Sequence, residues 1–65
     1  MSTTTMVPMP DVKKGDVCPM GAKLAVATGI TIRDEYVSID WAFIDGTDRW
    51  ASPYHITDKI ELITR

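Results

Sequence analysis

The chain has 65 residues and a formal net charge of −2, with one cysteine and one histidine. That length fits one small domain, which buries only about 60% of its unfolded surface. Cys18 alone excludes an internal disulfide, and Cys18 with His55 falls short of the four ligands of a structural zinc site, so no metal and no cofactor is expected.

The charge is unevenly spread. Residues 1–33 carry four cations against two carboxylates, and residues 34–65 carry three cations against seven carboxylates. A nucleic-acid surface needs a basic stripe that displaces counterions from phosphate. Here the cations are scattered, and the chain contains no Asn or Gln to read adenine edges. Nucleic acid is therefore disfavoured as a partner. No apolar stretch approaches the ~20 residues of a membrane span. Met1–Pro10 lacks the basic and apolar regions of a signal peptide, and an unpaired cysteine suits a reducing compartment. The expectation is a soluble, cytoplasmic protein. Self-association, as a homodimer or larger oligomer, is the compensation open to so small a core.

In chain order, MSTTTMVPMP has neither helical nor strand period, and residues 1–11 read as a flexible N-terminal arm. VKKGDVCP sets a turn before a short strand at Asp16–Cys18, with Pro19, Met20 and Gly21 as a loop. In AKLAVATGITIRD, Leu24, Val26, Ile30 and Ile32 give a period of two, and Gly29 marks a bulge in one long strand. Asp34-Glu35 reads as a polar turn. Residues 36–44 form the clearest strand, with Val37, Ile39, Trp41 and Phe43 on its apolar face.

Asp45-Gly46 then predicts a type I′ hairpin with positive φ at both central residues. A two-residue loop sets Trp41 opposite Trp50, and a four-residue loop sets Phe43 there; both place the two tryptophans on one face. Across the other face, Asp40 and Arg49 form a diagonal pair of small energetic consequence. Ser52-Pro53-Tyr54-His55 predicts a 3₁₀ turn, followed by a last alternating strand over residues 59–63 and Arg65 at the close. Five short strands without a helix to cover them bury their apolar side by closing on themselves. The expected fold is all-β: a small five-stranded barrel over residues 12–65.

The order KKGDV, glycine-bent strand, VSIDWAFIDGTDRW, SPYHITDKIELI resembles the SH3-like small barrels, including the KOW and Tudor types. The resemblance covers residues 12–64 and implies a barrel with a 3₁₀ turn before the last strand. The chain departs from it at Ala42-Phe43-Ile44 and in lacking the basic character of KOW proteins. Its length and plainness are also similar to those of short bacteriophage accessory proteins.

Three functions compete. The first is a non-enzymatic module that docks on a protein partner, for instance a phage-type modulator of a host protein. Its expected contact residues are Tyr36, Arg49, Trp50 and Tyr54, because Tyr, Trp and Arg are enriched among interface anchors and aromatics line the grooves of SH3-like barrels. The second is a KOW-type nucleic-acid binder that stacks bases on aromatics. The third is an enzyme whose site forms only between chains, as in the plasmid-borne SH3-like dihydrofolate reductase, whose Val-Gln-Ile-Tyr motif is absent here. His55 has Ser52 and Asp58 near it in sequence, but a triad is a matter of geometry, so no catalytic residue is assigned. Cys18 reads as a buried thiol, and the four glycines are too far apart for a phosphate loop. The acidic balance and the lack of a catalytic constellation favour the first reading.

Overall fold

The computed structural model describes residues 3–63; Met1 and Ser2 of the expected arm, together with Thr64 and Arg65, lie outside them. Six strands form: β1 (Thr4–Pro8), β2 (Val17–Met20), β3 (Lys23–Arg33), β4 (Tyr36–Phe43), β5 (Arg49–His55) and β6 (Lys59–Ile63). They make a four-stranded antiparallel sheet in the order β2-β3-β4-β5 and a two-stranded sheet of β1 and β6. The class is all-β as expected, but there are six strands rather than five, and the two sheets do not close into a barrel.

The expected flexible arm is the first correction. Thr4–Pro8 pairs along its whole length with β6, from Thr4 opposite Ile63 to Pro8 opposite Lys59. Met9–Asp11 follows as a 3₁₀ turn, and Met9 is fully buried. Threonine and valine favour a pleated strand, and the Pro-Met-Pro kink turns one large apolar side chain into the core. This is the 3₁₀ element of the described residues. Ser52–His55, expected to form one, continues β5 instead.

β2 likewise runs through Pro19 and Met20, which were expected in a loop. β3 and β4 join at a tight Asp34-Glu35 turn in which Asp34 takes φ +53. The β3–β4 register shifts between Ala27 and Gly29, so the expected bulge is present with Thr28 as the extra residue. Its effect is a change of phase. Ala25 and Ala27 face the core before the bulge, whereas Leu24 and Val26 face out; after it, Ile30 and Ile32 pair with the inward Ile39 and Val37.

The β4–β5 register sets Trp41 opposite Trp50, as the two-residue loop requires. The turn itself differs from type I′, because Gly46 has φ +78 and Asp45 stays in the negative-φ region. The cause is that Ile44 leaves β5 for β3, its N–H bonding to Leu24 O at 2.9 Å, while Phe43 N–H bonds to Asp48 O at 3.0 Å. Asp45 then caps the loop, its Oδ1 accepting from Thr47 N–H at 2.9 Å and Thr47 Oγ1 at 2.6 Å.

The core lies between the two sheets: Met9, Val12, Cys18, Ala25, Ala27, Val37, Ile39, Trp41 and Leu62. Every second residue of β4 contributes to it, as the alternation predicts.

Candidate functional site

The four expected contact residues do not share a face. Trp50 and Tyr54 pair with Trp41 and Val37 and lie on the inner side of the sheet. Tyr54 offers its phenolic oxygen to the buried Trp41, whose Nε1–H donates to it at 3.0 Å. Trp50 packs on Phe43 with ring centroids 4.7 Å apart, and the Lys23 ammonium lies 5.0 Å from the Phe43 centroid. The Phe43–Trp50 contact stabilises by about 0.5–1.5 kcal/mol beyond burial. Trp50 thus extends the core, and no ring contact joins it to Trp41 among the described residues.

Tyr36 and Arg49 occupy the outer side, at opposite ends of the hairpin. Tyr36 is 58% exposed and meets His55 edge-on at 5.9 Å. Arg49 pairs with Ala42, six residues along β4 from Tyr36, a separation of about 20 Å at ~3.4 Å per residue. The aromatic groove of Tyr36, Trp50 and Tyr54 is therefore not assembled. Asp40 and Arg49 come no closer than an ion pair's limit among the described residues; the Asp40 carboxylate lies over Gly29 instead.

His55 and Ser52 fall on opposite faces of β5, opposite Tyr36 and Ile39 respectively. Asp58 accepts from the His55 backbone N–H at 3.1 Å rather than from its ring. The His55 ring is held by Thr57, with Nδ1 2.7 Å from Oγ1, and its Nε2 is 4.0 Å from Glu35. Ser52, His55 and Asp58 therefore form no triad. Cys18 is buried, and burial followed by the charge of Glu61 pushes its thiol pKa up. Asp45 is held below the usual carboxylate range, first by the Thr47 hydroxyl, then by the Thr47 N–H and Lys23.

The outer face of the sheet divides in two. Toward Tyr36 it is polar, with Thr31, Ser38 and Asp40. Toward the hairpin tip it is apolar. Val17 pairs with Val26, which pairs with Ala42; Pro19 pairs with Leu24, whose carbonyl holds Ile44. Leu24 is 45% and Ile44 58% exposed, and no element of the described residues covers them. Ala22, Lys23, Leu24, Ile44 and Asp45 enclose a shallow hollow of about 290 Å³. Asp40, Asp48 and Arg49 stand around the patch. Sequence reasoning did not find this surface. Its signal was the bulge: once Thr28 reverses the phase of β3, Leu24 and Val26 cannot share a face with Ile30.

Comparison of the chain with protein-family models, with curated proteins and with solved structures finds no match.

Proposed function

We propose that this protein is a small non-enzymatic binding module that docks on a protein partner through the apolar half of its outer sheet face. The observation that supports this is the exposure of Leu24 and Ile44 side by side, continuous with Val26, Ala42, Val17 and Pro19. Contiguous apolar surface rimmed by charge is the usual mark of a protein contact. Arg49 is the member of the expected contact set that borders this patch; Tyr36 lies at the far end of the same face.

The rim specifies the partner's chemistry. Lys23 is already engaged by Asp45 at 3.5 Å and Thr47 at 3.0 Å. The remaining rim charges are Asp40, Arg49 and Asp48, whose Oδ1 also accepts the Arg49 N–H at 2.8 Å. The complementary protein surface is apolar at its centre, with cations opposite the two carboxylates and a carboxylate opposite Arg49.

The test is a nuclease-treated pull-down comparing the wild type with Leu24→Asp, Arg49→Glu and Tyr36→Ala, with circular dichroism to confirm folding. The partner is then purified and titrated directly. Leu24→Asp and Arg49→Glu are expected to weaken binding at least about tenfold, equivalent to about 1.4 kcal/mol, while Tyr36→Ala is neutral. Binding indifferent to Leu24→Asp, or capture of nucleic acid alone, overturns the reading. Loss of self-association on Leu24→Asp assigns the face to a second copy instead, and also overturns it.

A further inference from the structure

The free edges of the two sheets are treated very differently. The phase of each ladder follows from the backbone bonds at its ends, because hydrogen-bonded and non-bonded pairs alternate in antiparallel sheets. For β4–β5, Phe43 N–H bonds to Asp48 O and Ile56 N–H to Glu35 O. Residues 50, 52 and 54 therefore face β4, and Arg49, Ala51, Pro53 and His55 face the free edge.

Most of the donors on that edge are removed. Pro53 has no N–H. The Arg49 N–H is taken by Asp48 Oδ1 at 2.8 Å. The His55 N–H is taken by Asp58 Oδ2 at 3.1 Å, and the His55 carbonyl by Asp58 N–H at 2.9 Å. Only Ala51 retains a donor. On β2, the Ala27 N–H to Asp16 O bond turns Val17 and Pro19 outward by the same alternation, so this short edge keeps one donor, at Val17.

β1 is the more open edge: β6, the other edge of its sheet, carries Lys59 and Glu61, whereas β1 carries no charge. The Met9 N–H to Asp58 O bond, in register with the β1–β6 pairs, turns Thr4, Met6 and Pro8 toward the free edge. Only Pro8, at the end of the strand, lacks a donor. No group of the described residues takes the backbone N–H of Thr4 or Met6, and Met6 is 58% exposed. The strand reads TTMVP, with none of the charges that ordinarily protect an edge. Its sheet has two strands, fewer than the three or more that are stable independently.

We propose that β1 is the assembly edge of this protein, pairing antiparallel with β1 of a second copy about a two-fold axis through Thr5. In that register Thr4 and Met6 exchange both backbone bonds with Met6 and Thr4 of the other chain. Four hydrogen bonds form without calling on Pro8. The two small sheets merge into one of four strands. A second copy fits because its edge is neutral like this one. The charged β6 strands end up three spacings apart, about 14 Å, beyond the ~8 Å screening length of physiological salt. This contact is separate from the outer-face docking surface and does not depend on it.

Sedimentation velocity of the full chain from about 1 μM to about 1 mM tests the proposal. The wild type is expected to be a reversible dimer. Met6→Pro removes two of the four bonds and leaves the β1–β6 ladder intact, because that N–H faces away from β6. It should raise the dimer Kd at least about tenfold. Met6→Lys should do the same through edge charge, and it faces Glu61 within its own chain, so the fold is kept. It is decisive where Met6→Pro fails to fold. Leu24→Asp should leave the dimer unchanged. A wild type that is monomeric throughout, or a dimer that survives Met6→Lys, overturns the proposal. Hydrogen exchange adds a local readout: the Met6 amide should be slow in concentrated and fast in dilute protein, and equal rates count against the contact.

Discussion

The indole N–H of Trp41 donates to the phenolic oxygen of Tyr54 across 3.0 Å, from strand β4 to strand β5. Trp41 is fully buried, so this phenol is what satisfies a donor cut off from water. Tyr54→Phe keeps the ring and removes the acceptor. It should destabilise the fold by about 1–3 kcal/mol, measured by urea denaturation. A neutral effect would mean that the indole finds water, and that Tyr54 is free to serve elsewhere.

Met9 offers a second test, because it separates a flexible arm from a structural one. Its side chain is completely buried between the turn and the core. Met9→Ala should cost about 2–5 kcal/mol by the loss of contacts and the cavity left behind. For a domain of this size that is a large share of the total stability. An unchanged denaturation midpoint would restore the view of residues 1–11 as dispensable.

Gly29 and Gly46 should respond oppositely to alanine. At Gly46, φ is +78, a region in which a Cβ costs about 1–2 kcal/mol. At Gly29 a Cβ would meet the Asp40 Oδ2 at 2.9 Å, with the next Asp40 atoms at 3.7 Å and 3.8 Å. The close atom is the tip of an exposed side chain that can rotate away. Gly29→Ala should therefore lie between neutral and about 1 kcal/mol stabilising, through reduced freedom of the unfolded chain. Paired thermal melts decide this; a large loss at Gly29 would mean that Asp40 is fixed in place.

Cys18 sets an alkaline limit. Its folded thiol pKa is raised above the ordinary thiol value by burial and by Glu61. Above the unfolded pKa the unfolded chain gives up this proton while the folded chain keeps it. The contribution is whole below that pH and is lost as pH rises toward the folded value. Stability should fall above about pH 9. The fall should shrink in Cys18→Ala, compared with its own stability at neutral pH. Identical pH profiles would remove the thiol as the cause.

The closed edge of β5 can be opened. Pro53→Val with Asp58→Ala restores one outward donor and frees another, at His55. Light scattering should then show association beyond that of the wild type, with the strand content kept. No change would mean that the proline and the carboxylate have no part in guarding this edge.

The sequence by itself determined what depends on neighbouring residues. The alternation of Val37, Ile39, Trp41 and Phe43 placed one face of β4 in the core. Gly29 marked the bulge, and the Asp-Gly hairpin put Trp41 and Trp50 on one face. Tertiary structure decided what depends on strands distant in the chain. Thr4–Pro8 becomes a strand because β6, more than fifty residues away, supplies its partners. Tyr54 and Trp50 turn inward while Tyr36 and Arg49 turn outward, because strand parity relative to β4 assigns the faces and aromatic character does not. The exposed Leu24–Ile44 patch and the open edge of β1 arise in the same way. A face or an edge is a relation between strands, and a single strand's composition reads the same on either side of it.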